Sequence, residues 1–160
     1  MEKVKRFILM NKLFLGSILL VLFFAWTDSL QLEMIYKLVD PEKWQLYSAH
    51  LQPTIWILWA GIIAAIAYLY FLFTRDKSEA IALAAAPAIM MFFGLEDFLY
   101  GMLKPKLMEG CMPWFSSYPP WNIIQSLFQI PCINMTVLFV TSMIGIFVAW
   151  CVFRYLREKY

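Results

Sequence analysis

Two adjacent acidic residues inside an apolar stretch are the part of this sequence best suited to chemistry. Glu96 and Asp97 lie within residues 80–103, a run long and apolar enough to form a membrane-spanning helix. An aspartate at the centre of such a helix costs roughly 2.5 to 3.5 kcal/mol, so its retention marks a candidate site. A carboxyl in that setting can bind a proton, a cation or a polar headgroup, or act as a general acid.

The helical geometry of this run predicts where the two carboxyls point. At about 100° per residue, Glu96 falls on one stripe with several small residues, so we expect it to face other helices. Asp97 points in a different direction, and Tyr100 lies one helical turn beyond both acids, within hydrogen-bonding reach of either. Counting from Glu79 at 1.5 Å per residue places Glu96 about 25 Å along the helix, in the outer third of the membrane.

Residues from two other segments complete the candidate ligand-binding site. Asn134 lies at the start of the predicted fourth span, and Asp28 follows the first span on the same predicted side. The predicted site therefore consists of Glu96, Asp97, Tyr100, Asn134 and Asp28. The alternative is structural: Glu96 is a hydrated or hydrogen-bonded acid, Asp97 pairs with a lysine beyond the helix end, and Asp28 is the hydrated end of a span.

The composition and the lengths of the apolar runs define the fold class. Of the 160 residues, 62% are hydrophobic and 15% are charged, whereas soluble domains are nearer half apolar and a quarter charged. Four runs approach or exceed the roughly 20 residues that cross a bilayer, at about 7–27, 54–73, 80–103 and 133–153. The sequence predicts an all-α polytopic membrane protein, a single transmembrane domain over residues 1–160 folded as a four-transmembrane-helix bundle.

The two long connections predict short interfacial helices on the outer face. Residues 40–41 are Asp-Pro, typical of a helix start, and Trp44 and Tyr47 follow on one face. Residues 119–131 form a second segment bounded by prolines, in which Trp121 begins an apolar stripe. A simple belt of anchoring aromatic residues is the alternative for both tryptophans.

Basic residues predict the orientation. Nine lysines and arginines flank the two termini and the connection between spans two and three, whereas the two long connections carry four. The positive-inside rule therefore places both termini in the cytoplasm, and we expect the protein in the cell (plasma) membrane. Because the basic residues cluster at span ends, nucleic acid is not an expected partner, whereas the lipid bilayer is.

Cysteine and histidine usage limits the remaining chemistry. Cys111 and Cys132 bracket the third loop on the predicted outer side, so they form either a disulfide or two free thiols. His50 is the single histidine, and the ten methionines are scattered, so we expect no metal site and no cofactor. Nucleotide-binding and hydrolase motifs such as a P-loop or G-x-S-x-G are absent from the sequence.

Three functions from different classes fit these residues. The first is binding or transport of a proton, a cation or a small amphipathic ligand in an outer-leaflet pocket centred on Glu96. A narrow bundle of four helices would need to form a homo-oligomer to enclose a transport path. The second is an enzyme that acts on a lipid or isoprenoid with Glu96, Asp97 or Asp28 as acid and base. The third is a structural subunit that docks through the small-residue faces of spans two and four.

Overall fold

The structure is a computed structural model that describes residues 2–38, 44–105, 108–112 and 121–159, with side chains for 11–31, 54–105, 108–112 and 121–158. Every regular element in these ranges is a helix. The six helices are α1 (Glu2–Leu38), α2 (Trp44–Thr74), α3 (Lys77–Phe92), α4 (Leu95–Leu103), α5 (Trp121–Phe128) and α6 (Met135–Lys159). The prediction of an all-helical fold is therefore confirmed for the described residues.

Three of these helices are long and apolar enough to cross a membrane. The qualifying stretches are Asn11–Gln31 of α1, Thr54–Thr74 of α2 and Met135–Glu158 of α6. The pair α3 and α4 passes the same test when it is counted as one bent span, which would bring the number to four. By length and composition, the described part of the chain thus has three to four candidate spans, as expected for an integral membrane protein.

The broken pair α3–α4 lies at the centre of the packing. Helix α3 contacts α6, α2 and α1, and α4 contacts α1 and α6. Close approach is possible because the facing residues are small: Ala82 and Ala86 of α3 and Ala149 of α6 are fully buried in one apolar cluster. Ser142 of α6 is also fully buried, so the predicted docking face of the fourth span faces this chain's own interior.

A bend of 62° separates α3 from α4, and it lies at a glycine. Gly94 has φ +81°, a left-handed conformation that glycine adopts without the steric penalty other residues meet. The sequence predicted one helix over residues 80–103. The helix is instead broken at Gly94, because the break needs a residue that can reverse the sign of φ, whereas Pro87 lies buried inside the continuous helix α3.

The structure also changes the first predicted interfacial segment. Residues 40–43 lie outside the described part of the chain, but Trp44 and Tyr47 belong to α2, which continues without interruption into the candidate span. Helix α5 occupies the second predicted segment and begins at Trp121. Trp121 is buried against other helices, so its environment is the protein interior and not a surface belt.

Candidate carboxylate site

Three acidic side chains from two helices come together beside the bend. Helix α1 supplies Asp28, and the first turn of α4 supplies Glu96 and Asp97. The charges of Asp97 and Asp28 both act on the Glu96 carboxyl, and the Asp28 charge also acts on Asp97. The structure therefore brings together the three predicted acids, including the one separated from the others by nearly seventy residues. We call this group the carboxylate cluster.

Two members of the carboxylate cluster are buried and each has one oxygen without a hydrogen-bond partner. Asp28 and Glu96 are each 6% exposed. Asp28 Oδ1 and Glu96 Oε1 receive no hydrogen bond from any described residue. The hydroxyls of Thr27 and Ser29, which flank Asp28, donate to backbone carbonyls of their own helix. An unpaired buried charge costs several kcal/mol, so this arrangement needs a proton or another cation to compensate it.

Trp121 covers the third member of the cluster. Its side chain hydrogen bonds to the Asp97 carboxyl, with the indole N–H as the donor. The same ring packs on the bend, where a Cβ atom added at Gly94 would lie 2.3 Å from Trp121 Cζ2. The absence of a side chain at position 94 therefore lets the indole sit close enough to reach Asp97. The sequence assigned Trp121 to the apolar stripe of an interfacial helix, with an anchoring belt as the alternative, and missed this role.

The other two predicted ligands have different surroundings. Tyr100 is buried in an apolar cluster with Met108, Met112, Trp121, Ile133 and Leu138. Asn134 Oδ1 accepts a hydrogen bond from the backbone N–H of Val137 at 3.0 Å, so it caps the start of α6. Tyr100 thus packs with the tryptophan that covers the carboxylate cluster, whereas the carbonyl oxygen of Asn134 serves the backbone.

The carboxylate cluster does not form a metal-ligand set. Within the described ranges, no three Asp, Glu, His or Cys side chains lie close enough together to hold a metal ion. The location of Glu96 and Asp97 in the first turn of α4 stabilises negative charge, because the helix N-terminus carries partial positive charge. Burial acts in the opposite direction by favouring a neutral carboxyl.

A second buried acid lies at the opposite end of α3, and it is fully paired. Arg157 Nη2 of α6 donates to Glu79 Oε1, and the Tyr70 hydroxyl of α2 donates to Glu79 Oε2 at 2.5 Å. Glu79 and Arg157 are 6% and 5% exposed. The ion pair and the Tyr70 hydrogen bond together connect the ends of three helices, α2, α3 and α6. The sequence did not predict it, because the two residues are 78 positions apart and each alone looks like the charged edge of a span.

Asp76 begins α3 next to this ion pair. Its Oδ1 accepts hydrogen bonds from Ser78 Oγ at 2.6 Å and from the Glu79 backbone N–H at 2.9 Å. Desolvation acts to raise the pKa of Asp76, but these hydrogen bonds and the Arg157 charge outweigh it and hold the pKa below its usual value. Asp76 therefore caps α3 in its charged form.

Cys111 and Cys132 lie near the residues that cover the cluster. Cys111 and Cys132 are bonded to each other, with 5.7 Å between their Cα atoms. Next to them, the Met112 N–H donates to the Ile133 carbonyl at 2.9 Å. The segment before α6 is thereby fastened to the chain that follows α4, on the side where Trp121 packs.

Comparison with known proteins adds no relative to this description. No family model matches the chain, no curated protein matches it, and no solved structure matches it.

Proposed function

We propose that the protein is an integral membrane protein that binds and transports protons through the carboxylate cluster. The observation that carries this proposal is the pair of buried oxygens, Asp28 Oδ1 and Glu96 Oε1, that no described residue hydrogen bonds. A proton on either carboxyl removes one negative charge and turns an acceptor into a donor, which is the compensation this geometry lacks. A metal cation is less well suited, because the described acids do not form a ligand set for one.

The broken span supports transport and not binding alone. Discontinuous helices with ionisable groups at the break are typical of transporters, since the helix terminus can stabilise a charge inside the membrane. Here Glu96 and Asp97 follow the bend directly, in the first turn of α4. The helix N-terminus favours the charged carboxyl and burial favours the neutral one. These opposing influences make both protonation states accessible, as a carrier of protons requires.

The proposed arrangement in the membrane is a bundle of four spans with α5 at the outer interface. The excess of basic residues near both termini favours a cytoplasmic location for them. The carboxylate cluster then lies toward the outer leaflet, and the Glu79–Arg157 ion pair lies toward the cytoplasm. Because four helices enclose a narrow interior, we expect the transporting form to be a homo-oligomer.

Proton flux into liposomes tests this function. The protein is reconstituted with a pH-sensitive dye inside, and flux is driven by a potassium diffusion potential. We expect Glu96→Gln and Asp28→Asn to reduce the flux to that of protein-free liposomes, because each removes one exchangeable carboxyl. Glu109→Gln is the matched control, since Glu109 is exposed and lies on the same side of the chain. Wild-type flux in Glu96→Gln would contradict the proposal, as would a flux carried by sodium or potassium ions instead of protons.

A second candidate function is an enzyme that acts on a lipid or isoprenoid. The observation that favours it is the electrostatic interaction of Asp28 with Glu96, which brings two carboxyls from different helices to one place. One could act as a general acid while the other acts as a general base. Mass spectrometry of lipids incubated with the wild-type protein and with Glu96→Gln distinguishes the two functions. A lipid product that only the wild type forms would favour the enzyme.

A further inference from the structure

The three carboxyls of the cluster differ in their hydrogen bonding. The Asp97 carboxyl accepts a hydrogen bond from the indole N–H of Trp121. Asp28 Oδ1 and Glu96 Oε1 lie buried, and the described part of the chain offers neither of them a donor. An indole N–H can only donate, so it compensates a carboxylate oxygen and stabilises its negative charge. The cluster therefore contains one acid with a donor, Asp97, and two acids that each keep one buried oxygen without a donor.

The packing around Trp121 makes that donor rigid. The indole is 3% exposed and lies in the apolar cluster with Tyr100 and Leu138. It is also seated against Gly94, where even a methyl group would overlap the ring. Because the ring has no room to rotate away, its N–H stays directed at Asp97 when the protonation of the neighbouring acids changes.

We propose that Trp121 keeps Asp97 as a fixed negative charge and that Asp28 and Glu96 share the exchangeable proton. This division of roles rests on the proposed function and specifies which carboxyls perform it. Trp121 is then a positioning residue that acts through Asp97. A proton on either Asp28 or Glu96 removes one negative charge from the cluster and turns that carboxyl from an acceptor into a donor, and the charge of Asp28 acts on Glu96. The Asp97 charge holds that proton in the cluster by electrostatic attraction.

The charges on the neighbouring helices leave this division intact. Helix α5, which carries Trp121, has no ionisable residue. On α4 itself, Tyr100 and the C-cap residue Lys104 are the other titratable groups. The described charged side chains of α1, α3 and α6 other than Asp28 lie toward the opposite ends of those helices, about 25 Å away at 1.5 Å per residue: Lys12, Lys77, Glu79, Arg154, Arg157 and Glu158.

A hydrophobic carbodiimide identifies which carboxyls carry protons. This reagent takes up the proton of a neutral carboxyl while the carboxyl oxygen adds to its central carbon, and the adduct rearranges to a stable acylurea. Mass spectrometry with fragment ions that separate Glu96 from Asp97 then locates the label. In the wild-type protein in lipid nanodiscs, we expect label on Asp28 or Glu96 and not on Asp97.

Replacement of Trp121 tests its role as the positioning residue. In Trp121→Phe, we expect labelling of Asp97 to rise at least about tenfold, equivalent to ~1.4 kcal/mol, because the stabilising donor is gone. Trp26→Phe is the matched control, since that side chain is half-exposed on α1, and it should label like the wild type. Unchanged Asp97 labelling in Trp121→Phe would overturn the proposal.

The wild-type pattern decides the question even if Trp121→Phe does not fold. Label on Asp97 at the rate seen for Glu96 would overturn the division of roles while leaving proton binding by the cluster intact. No label on any of the three carboxyls at any pH would instead overturn the proposed function itself. The two failures therefore give different results in one experiment.

Discussion

Glu79 and Glu96 are two glutamates of the same broken helix pair, α3–α4, with the same exposure and opposite surroundings. Each is 6% exposed. Glu79 accepts hydrogen bonds from Arg157 and Tyr70, whereas Glu96 has an oxygen that no described residue contacts through a hydrogen bond. The difference shows that burial alone does not identify a functional acid. A buried acid with a complete set of partners holds helices together, whereas a buried acid with an unpaired oxygen is a candidate for proton exchange.

The largest expected loss of stability comes from breaking the Glu79–Arg157 ion pair. Arg157→Met leaves the Glu79 charge buried without its cation, so we expect the free energy of unfolding to fall by about 3 to 5 kcal/mol. Titration with a denaturing detergent in mixed micelles measures this loss. Arg154→Met is the control, because its pair with Glu158 is exposed and should contribute less than about 1 kcal/mol.

A double variant separates loss of charge balance from loss of packing. When Glu79→Met accompanies Arg157→Met, no buried charge remains unpaired, and most of the stability should return. A double variant as unstable as Arg157→Met alone would mean that the arginine acts through packing and that the comparison with Glu96 does not hold.

The second effect concerns the bend at Gly94, which positions the carboxylate cluster. Gly94→Ala puts a Cβ atom against the Trp121 ring and strains a left-handed backbone, so we expect a loss of about 2 to 4 kcal/mol. Gly61→Ala is the control, since the space around Gly61 is open and alanine favours a helix. Equal stability of the two variants would show that the contact between Gly94 and Trp121 does not hold the bend.

The third expected effect is a gain in stability. Glu96→Met removes a buried carboxyl with an unpaired oxygen, so we expect the free energy of unfolding to rise by about 1 to 2 kcal/mol while proton flux is lost. The same detergent titration and the liposome assay measure the two quantities. Destabilisation of Glu96→Met as large as that of Arg157→Met would show that the two acids are equivalent structural groups.

The smallest effect depends on pH and concerns the helix cap at Asp76. Asp76→Ala should cost about 1 kcal/mol near neutral pH, because α3 loses its N-cap. The pKa of Asp76 is lower in the folded protein than in the unfolded chain. The wild-type advantage should therefore be complete above the unfolded value of about 3.9 and be lost as pH falls through the lower folded value. An advantage that is constant throughout that acidic range would exclude a contribution from the charge.

The sequence pattern predicted local features and missed distant ones. The lengths of the apolar runs predicted helices, and the stripe of small residues predicted that Glu96 faces other helices, because both depend on neighbours in one helix. The break at Gly94 was missed since a single glycine in an apolar run is usually tolerated within a helix. The sequence signal for the break was that Gly94 lies just before two acidic residues, which are favoured in the first turn of a helix.

Contacts between distant segments account for the other differences. The hydrogen bond of Trp121 to Asp97 and the ion pair of Arg157 with Glu79 both depend on how helices pack. No periodicity within one segment encodes them. A basic residue and an acidic residue at matching ends of two predicted spans was the available signal for the ion pair. No comparable signal in the sequence indicated that the Trp121 indole would lie next to Asp97.

The 62° bend has a consequence for the lipid that surrounds the protein. Helix α3 has 16 residues and reaches about 24 Å, and the nine residues of α4 add only about 6 Å in the same direction. The total of about 30 Å matches an average hydrocarbon thickness with nothing to spare, and membranes differ from that average by a few Å. A bilayer of shorter acyl chains would let water reach the acids beside this hinge, and a bilayer of longer acyl chains would exclude water from them. In the proposed membrane arrangement, lipid thickness would therefore control how readily these acids exchange protons with the aqueous phase.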